Sequence, residues 1–321
     1  MPAAVLRSAG SVPQVEHRSV PHAGTGEVLI RVQAAPITPL DRLCATGTSY
    51  FGVPATPYVP GVQGVGTVES GGDVAAGSPV WFATSAGMQP DDGSMRGYAS
   101  VSAADVVALP SGADPVLVGA LGLSAVAAWM AMTWVGGLAA GERVLVLGAG
   151  GVVGQAGVQL ARSAGAGRVV AAARSARGLQ RAAELGADAV VSLGAGDDVE
   201  ALAERMAEAC SGPVDLVLDP LFGVPAAAAL RTLRSGGRLV NLGSSAAETA
   251  PIDSSTLRSR SLRILGYTNN ALTVEQRRDA LTHVVEEVVA GRLTVEHQRV
   301  QLSAVADVWA RTTGGRVVLV P

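Results

Sequence analysis

The feature that most constrains this chain is a glycine-rich turn between an apolar run and a helical segment. The run Arg143–Leu147 leads into GAGGVVG at 148–154, a helical segment extends to residue 165, and a second apolar run occupies Arg168–Ala173. Small residues let a backbone turn tightly and approach a pyrophosphate, and N–H groups at a helix N-terminus bind phosphate. The spacing therefore predicts a dinucleotide site. Its predicted contacts are Gly148, Gly151, Val152, Val153 and Gly154.

The residues after the second strand indicate which dinucleotide binds. An NAD site usually places an acidic residue there, which accepts a hydrogen bond from the ribose 2′-hydroxyl. Here the sequence is Arg174-Ser175-Ala176-Arg177, and no acid follows before Glu184. Guanidinium groups bind phosphate through paired hydrogen bonds, so Arg174, Ser175 and Arg177 predict a site for the 2′-phosphate of NADPH. A solvated loop in an Arg-rich chain is the alternative.

From about residue 118, short apolar runs alternate with helical segments. This alternation predicts a parallel sheet covered on both faces, in a doubly wound dinucleotide-binding fold. The predicted strands are Arg143–Leu147, Arg168–Ala173, Ala189–Leu193, Val214–Leu218, Arg238–Leu242 and Leu262–Leu265. The predicted helices lie near 152–165, 176–185, 198–210, 224–233 and 274–290.

The first part of the chain has a different pattern. Short strands at 27–33, 64–69 and 79–82 are separated by Gly and Pro, and prolines punctuate a long predicted loop at 36–60. Such spacing is typical of a compact, mostly β domain. We expect the strand–helix–strand tail that ends in RVVLVP to rejoin this domain.

Composition limits the available chemistry and partners. All 24 basic residues are Arg, which excludes lysine Schiff bases, the Walker phosphate loop and the catalytic lysines of short-chain dehydrogenases and aldo-keto reductases. The net charge of −3 contains no block of one sign, so we expect neither nucleic-acid nor membrane binding. The apolar runs read as shorter than the roughly 18 residues of a membrane span, and no secretory signal is visible. We therefore expect a cytoplasmic protein.

Several motifs together resemble the medium-chain dehydrogenase/reductase superfamily over nearly the whole chain. They are Gly26–Val32, Pro39–Asp41, Pro57–Gly66, Gly97–Ala99, Val158–Ala161, Glu184–Asp188 and Gly236–Val240, together with the glycine-rich turn. The resemblance implies an α/β protein with a Rossmann-type doubly wound parallel sheet and a GroES-like, mostly β catalytic domain. The expected boundaries are 118–290 for the first and 1–117 with 291–321 for the second.

The zinc members of this family carry Cys-x-x-Asp in the early loop and Gly-His-Glu before the next strand. Here those positions hold Thr38-Pro39-Leu40-Asp41 and Gly61-Val62-Gln63, and all four histidines fall outside residues 23–282. A catalytic zinc needs about three protein ligands of Cys, His or carboxylate type. We therefore expect no metal, and the resemblance points to the zinc-free branch of quinone oxidoreductases and enoyl reductases.

The resemblance also implies roles for residues along the cofactor. Ser124 stands where the family has a hydroxyl residue near the nicotinamide amide, and the segment from Asn241 through Gly243 and Ser244 would close over the nicotinamide. Tyr267 would follow the last sheet strand. A homodimer is expected, with the edge strand Ser261–Gly266 pairing across a two-fold axis.

Two residues are candidates for catalysis. Tyr50 lies near the position of a tyrosine in enoyl reductases of this family, one residue later than usual, and would protonate the enolate left by hydride addition. Packing under the Pro54–Pro60 segment is the alternative for Tyr50. Asp41 is a second candidate at the active site, with capping of a Pro-bounded loop as its commoner role.

Three functions follow from these observations. The first is an NADPH-dependent reductase of a small apolar quinone or of a carbon–carbon double bond activated by a carbonyl. The second is an NADPH-binding protein with little turnover, comparable to the lens crystallins of this family. A zinc alcohol dehydrogenase is the third and is disfavoured by the missing ligands.

Overall fold

The computed structural model describes residues 1–311 and 315–321, which form two compact units. The first unit comprises Met1–Gly122, Leu281–Ala290 and Val295–Pro321, and the second comprises Leu123–Ala280 and Gly291–Thr294. These limits differ from the predicted domain boundaries at residues 118–122 and 281–294. The fold is mixed α/β, with mostly antiparallel strands in the first unit and a parallel sheet in the second.

The first unit is built mainly of antiparallel strands. A β1–β2 hairpin stands beside a seven-stranded sheet of order β14-β15-β3-β4-β5-β7, and β6 pairs with β3. The C-terminal strand β15 pairs with β3 through Val318 opposite Pro36, which joins the tail to this unit. The strands are β1 Pro2–Val5, β2 Gln14–His17, β3 Glu27–Pro36, β4 Gln63–Gly71, β5 Pro79–Ala83, β6 Tyr98–Ser102, β7 Val106–Ala108, β14 His297–Gln301 and β15 Arg316–Val320.

The predicted long loop at 36–60 contains a helix, so that part of the prediction is wrong. Helix α1 spans Pro39–Thr46 and ends at Gly47 in the left-handed conformation, with φ of 74°. Thr38 is its N-cap and forms a capping box with Asp41, while Pro39 occupies the first turn. Proline is well suited to that position because its missing N–H would have no helical partner there.

The second unit contains the six-stranded parallel sheet predicted from the alternating pattern. Its strand order is β10-β9-β8-β11-β12-β13, so the order reverses between β8 and β11. In such sheets ligands bind outside the carboxyl ends of the strands, at this reversal. The strands are β8 Arg143–Leu147, β9 Arg168–Ala173, β10 Ala189–Ser192, β11 Val214–Asp219, β12 Leu233–Asn241 and β13 Arg263–Gly266.

The remaining helices alternate with these strands or lie outside the sheet. They are α2 Pro115–Met130, α3 Val152–Ser163, α4 Ala176–Glu184, α5 Val199–Cys210, α6 Gly223–Leu230, α7 Ser254–Ser259, α8 Val274–Val289 and α9 Val305–Val308. Helix α6 ends at Leu230, and β12 already begins at Leu233, where the sequence predicted helix. The core of this unit packs Leu145 and Leu147 of β8 against Leu202 and Met206 of α5.

Helix α2 and the π-helical turn Ala131–Val135 that follows it form a long apolar segment. The 21 residues Pro115–Val135 have a maximum mean hydropathy of 1.9, so the expectation that apolar runs stay shorter than a membrane span is wrong. By length and composition alone this helix could cross a membrane, but 72% of its 18-residue apolar window is buried within the protein, as in a core helix. A non-helical residue, Gly122 with φ of 28° and ψ of −126°, interrupts it.

Candidate functional site

The glycine-rich turn leaves β8 at the point where the strand order reverses. Gly148 has a φ of +66°, and a Cβ there would lie 3.0 Å from Leu221 Cδ2. A Cβ on Gly154 would lie 2.4 Å from the Gly148 carbonyl oxygen. Both positions therefore require glycine, the first for its backbone conformation and the second for close packing of the helix on the strand.

Helix α3 starts directly after this turn. Gly151 is its N-cap, and no side chain of the described residues caps the first turn, which contains Val152 and Val153. The first N–H groups of a helix have no partner within the helix, and the helix dipole favours an anion beside them. The turn and the start of α3 thus offer a cradle for a phosphate.

The segment after β9 adjoins this cradle. Arg174, Ser175 and Arg177 are exposed, and the Ser175 hydroxyl caps α4 by accepting a hydrogen bond from the Gly178 N–H at 3.1 Å. A Cβ on Gly178 would lie 3.1 Å from the Gly150 Cα, so the two segments are in close contact. The fold therefore brings together the residues that the sequence predicted for the pyrophosphate and for the 2′-phosphate.

The ends of β11 and β12 are held by a buried carboxylate. Asp219 is fully buried and accepts hydrogen bonds from the N–H groups of Leu221 at 2.9 Å and Phe222 at 2.8 Å. The Asn241 side-chain amide donates to Asp219 Oδ2 at 2.9 Å and to the Gly243 carbonyl at 2.8 Å. Burial raises the pKa of Asp219, against the effect of these hydrogen bonds. Asn241, predicted at the nicotinamide, thus also fixes the turn that contains Gly243.

The other predicted nicotinamide residues lie near one another through a second set of contacts. The Tyr267 N–H donates to the Asn241 carbonyl at 2.9 Å, and the Tyr267 hydroxyl donates to Asn269 Oδ1 at 2.7 Å. Asn269 in turn donates to the carbonyl of Leu123 at 3.0 Å, next to Ser124. The Ser244 hydroxyl donates to the Glu248 carboxylate. Burial raises the pKa of Tyr267, which keeps its phenol protonated.

Sequence reasoning missed three of the residues in this arrangement. Asp219, Asn269 and Glu248 are not among the site residues that the sequence predicted. Asp219 directly follows the predicted strand Val214–Leu218 and precedes a proline, which is the available local signal for a polar strand end. No local signal connects Asn269 with Leu123, because 146 residues separate them.

In the first unit, the buried carboxylate of Asp41 links two segments of the chain by hydrogen bonds. It accepts hydrogen bonds from the Thr38 N–H at 2.7 Å and hydroxyl at 2.6 Å, and from the N–H groups of Gly61 at 3.1 Å and Val62 at 2.8 Å. Burial raises the pKa of Asp41, and the Thr38 and Val62 contacts oppose this shift. These four hydrogen bonds are the kind expected of a residue that caps a loop. The catalytic role of Asp41 stays a prediction.

The side chain of Gln63, in the same unit, is also buried and hydrogen-bonded to neighbouring groups. It is fully buried, accepts a hydrogen bond from the Trp81 indole N–H at 3.1 Å and donates to the Gly119 carbonyl at 3.4 Å. A Cβ on Gly122 would fall on the Gln63 amide, which explains why glycine occupies the interruption in α2. A neutral amide suits this place because it both accepts and donates.

Tyr50 lies on the loop after α1. Its side chain is 77% exposed and its ring lies 4.2 Å from that of Phe51, so it does not pack under the Pro54–Pro60 segment. Tyr50 is therefore accessible to solvent and to a ligand. Its role as a proton donor stays a prediction.

Comparison with known proteins identifies the family. Residues 24–111 match the family described as Alcohol dehydrogenase GroES-like domain, and residues 152–286 match the family described as Zinc-binding dehydrogenase. A quinone oxidoreductase of Lama guanicoe is 30% identical over 70% of this chain and 67% of its own length. The chain belongs to the medium-chain dehydrogenase/reductase superfamily. Within it, the relatives point to the quinone-oxidoreductase-like branch.

Two further relatives agree with this placement. The human quinone oxidoreductase is 28% identical over 80% of this chain and 76% of its own length. The solved quinone oxidoreductase of Thermus thermophilus, also described as a complex with NADPH, is 28% identical, covers both chains fully and superposes with a TM-score of 0.81. This medium-chain dehydrogenase/reductase is thus an NAD(P)-dependent oxidoreductase.

The positions that carry zinc ligands in other members do not suit a metal here. Thr38 and Gln63 have neutral side chains, Val62 has no donor atom, and Gln63 is already bonded to Trp81 and Gly119. Within the described ranges, no three His, Cys, Asp or Glu side chains lie close enough to hold a metal ion. Borderline-soft zinc prefers thiolate, imidazole and carboxylate ligands. This donor set does not fit zinc.

Proposed function

We propose that this oxidoreductase uses NADPH, needs no zinc, and reduces quinones or carbonyl-activated carbon–carbon double bonds by hydride transfer. The observation that carries the proposal is the contact between the glycine-rich turn and the Arg174–Arg177 segment through Gly150 and Gly178. A dinucleotide whose pyrophosphate occupies the turn would bring its adenosine ribose toward two guanidinium groups. A 2′-phosphate would gain charge-assisted hydrogen bonds there, which a 2′-hydroxyl cannot match.

Each predicted residue has a defined task in this proposal. Gly148, Gly151, Val152, Val153 and Gly154 hold the pyrophosphate by backbone N–H groups, and Ser175 contributes its hydroxyl proton beside the two arginines. Ser124, Asn241, Gly243, Ser244 and Tyr267 form the nicotinamide side of the site. When bound, NADPH supplies a hydride from its nicotinamide. The protein's task is to orient the reactants and exclude water.

The missing zinc ligands limit the reaction. A bound zinc polarises an alcohol or carbonyl oxygen as a Lewis acid, and no such group is available from Thr38, Val62 and Gln63. Substrates that are already electrophilic, such as quinones and enones, do not need this activation. Low aromatic content and the lack of a charged cleft motif favour a small apolar substrate.

Proton delivery distinguishes the two substrate classes. Hydride addition to an enone leaves an enolate that needs a proton, and the Tyr50 hydroxyl is the proposed donor. A hydroquinone anion takes its proton from solvent. Asp41 is a positioning residue in this scheme because its carboxylate holds the start of α1, the helix that leads to the Tyr50 loop.

The decisive experiment measures NADPH oxidation after dialysis against a chelator. We expect turnover of 1,4-benzoquinone, 9,10-phenanthrenequinone or an enone, with no gain on addition of zinc. Activity that disappears with the chelator and returns with zinc would contradict the zinc-independent proposal. Tight NADPH binding without turnover of any acceptor would instead favour the crystallin-like alternative.

The proposed assembly is a homodimer. Strand β13 lies at the edge of the parallel sheet, and Ile264 on it is 39% exposed. An uncovered edge is a template for pairing with a second copy, and closed two-fold dimers are the commonest oligomers. Sedimentation at micromolar concentration should give the mass of two chains; a single-chain mass would contradict the proposal.

A further inference from the structure

The turn that follows β11 contains a strained residue. Phe222 has a φ of 59° and a ψ of −159°, a backbone conformation that is found almost only in glycine. A residue with a side chain pays free energy to adopt it and keeps it only where the surrounding structure holds it. Such strain concentrates at ligand sites and switch regions. The contacts that hold Phe222 therefore indicate the task of this turn.

Contacts on two sides hold the turn in the second unit. On one side, Asp219 Oδ1 accepts hydrogen bonds from the N–H groups of Leu221 at 2.9 Å and Phe222 at 2.8 Å. On the other side, the Leu221 carbonyl accepts a hydrogen bond from the Ala246 N–H at 2.9 Å. The turn is thus fixed between the end of β11 and the segment that follows β12.

The same turn lies against the glycine-rich turn. A Cβ on Gly148 would lie 3.0 Å from Leu221 Cδ2 and 3.1 Å from Pro220 Cγ. Strands β8 and β11 are neighbours at the reversal of strand order, where sheets of this class bind their ligands. Pro220 and Leu221 therefore adjoin the proposed dinucleotide cradle.

The second oxygen of the Asp219 carboxylate serves a different segment. Asp219 Oδ2 accepts a hydrogen bond from the Asn241 side-chain amide at 2.9 Å, and the same amide donates to the Gly243 carbonyl at 2.8 Å. The main chain follows the same path, since the Leu242 N–H donates to the Asp219 carbonyl at 2.9 Å. A Cβ on Gly243 would lie 3.0 Å from the Pro220 carbonyl oxygen. One carboxylate therefore holds two neighbouring segments, with one oxygen on each.

We propose that Asp219 is a positioning residue that fixes the nicotinamide end of NADPH relative to its pyrophosphate end. Its Oδ1 holds the strained turn beside the cradle, and its Oδ2 orients Asn241 and, through it, Gly243. Asp219 is fully buried, so it acts through these groups and not by contact with the cofactor. This inference rests on the proposed NADPH-dependent reduction and on the proposed nicotinamide side of the site.

The test variant is Asp219→Asn, which keeps the volume of the side chain. Its amide oxygen can still accept from the N–H groups of Leu221 and Phe222, but its NH2 group faces the NH2 group of Asn241. The link to Asn241 is then lost while the strained turn keeps its acceptor. NADPH should bind with nearly the wild-type dissociation constant, because the phosphate contacts do not change.

Three measurements report on the nicotinamide itself. The rise in nicotinamide fluorescence when NADPH binds should be smaller in Asp219→Asn than in wild type. The kcat should fall about tenfold or more with little change in KM, since a misplacement of about 1 Å can cost a hundredfold. With NADPH deuterated at either C4 position, wild type should transfer hydrogen from one face only, and Asp219→Asn should transfer it from both.

The matched control is Asp215→Asn, at the other end of β11. Asp215 accepts a hydrogen bond from the Arg143 N–H at 2.8 Å and pairs with Arg234, so its loss should lower stability. Nicotinamide fluorescence and stereospecificity should stay as in wild type. If Asp219→Asn fails to fold, the same measurements compare Asp219→Asn/Phe222→Gly with Phe222→Gly, because glycine adopts this conformation without strain.

The outcomes separate this proposal from the proposed function. Wild type that turns over no acceptor contradicts the proposed reductase, while the fluorescence measurement still tests Asp219 because it needs no acceptor. Wild-type fluorescence, kcat and stereospecificity in Asp219→Asn would overturn the positioning role alone. Equal effects of Asp215→Asn and Asp219→Asn on the nicotinamide, or failure of both Asp219 variants to fold, would also overturn it, since Asp219 would then serve only the fold.

Discussion

The two units use their polar side chains in opposite ways at the places where the sequence predicted function. In the second unit Arg174 is exposed after β9, no ion pair joins it to a described residue, and α3 starts without a side-chain cap. In the first unit, the Asp41 carboxylate and the Gln63 amide are buried and bonded to neighbouring groups. The first arrangement leaves hydrogen-bonding capacity for a ligand, and the second uses that capacity to hold loops in place.

This difference has a physical consequence for mutation. Removing a group that faces a ligand costs binding free energy and leaves the folded protein unchanged. Removing a group that satisfies buried N–H donors leaves those donors without partners, and stability falls. Mutations at the ligand-facing groups of the second unit should therefore lower affinity, and mutations at the buried groups of the first unit should lower stability.

The largest effect is expected from Asp41→Ala. The N–H groups of Thr38, Gly61 and Val62 would lose their acceptor, so the free energy of unfolding should fall by about 3 kcal/mol or more. Chemical denaturation measures this change, and Asp73→Ala, at an exposed acid of the same unit, should stay within about 0.5 kcal/mol of wild type. If Asp41→Ala were as stable as wild type but inactive, the structural role of Asp41 would be wrong, because Asp41 would then be a reacting group.

The next effect concerns Arg174→Ala. Loss of a charge-assisted contact to the 2′-phosphate should weaken NADPH binding by roughly 1.5–3 kcal/mol, about ten- to a hundredfold, with NADH binding unchanged. Titration of both dinucleotides measures the ratio of their dissociation constants. Arg177→Ala should give a smaller change in the same direction, and Arg299→Ala serves as a control outside the unit. An unchanged NADPH/NADH ratio in Arg174→Ala would remove the basis for NADPH preference.

The second unit was largely predictable from sequence because its signals are local. Each strand is a short apolar run followed by a turn and a helix. The polar residues after Ala173 mark the end of β9 in the sequence. The first unit was less predictable. Helix α1 was missed because Pro39 was taken as a loop residue, although Thr38, Pro39 and Asp41 form a recognisable helix start.

Contacts between distant parts of the chain account for the rest. The bonds from Asn241 to Asp219 and from Asn269 to Leu123 join segments separated by 22 and 146 residues. Spacing along the chain cannot show which side chain satisfies which buried group. The sequence thus indicated Asn241 and Tyr267 by resemblance alone, and the structure adds the partners that fix them.

A smaller and more selective effect is expected from Tyr50→Phe. Because general acids contribute about a hundredfold or more, an enone should be reduced at least about tenfold more slowly, while reduction of a quinone should change little. Steady-state rates with both substrates on the same preparation give the ratio. Since Tyr50 is exposed and its hydroxyl has no structural bond in the described chain, stability should not change. Equal, small changes on both substrates would leave water as the proton donor.

The smallest expected effect concerns the second unit alone. It tests whether this unit also contains polar groups that stabilise the fold, apart from those that are left for a ligand. Near the amino ends of the parallel strands, the buried Arg238 donates to Glu142 Oε1 at 2.8 Å and to the Gly137 carbonyl at 3.0 Å. Burial opposes ionisation of Glu142, but the hydrogen bonds from Arg238 and from the Ala139 N–H outweigh it and lower its pKa. At the carboxyl end of β8, helix α3 starts without a side-chain cap, whereas the amino ends of the strands are held by the ion pair of Arg238 with Glu142.

A lowered pKa makes this network sensitive to acid in a known direction. The unfolded chain protonates Glu142 near its ordinary pKa of 4.5, and the folded protein does so only at lower pH. The ionised form therefore contributes stability above that value, and the contribution is lost as the pH falls through the folded pKa. Over this range wild type should lose more stability than Glu142→Gln, measured by thermal unfolding at successive pH values. Glu204→Gln, at an exposed position of the same unit, should follow wild type. Parallel curves for wild type and Glu142→Gln would mean that ionised Glu142 does not stabilise the folded protein, and the proposed role of this ion pair at the amino ends of the strands would be wrong.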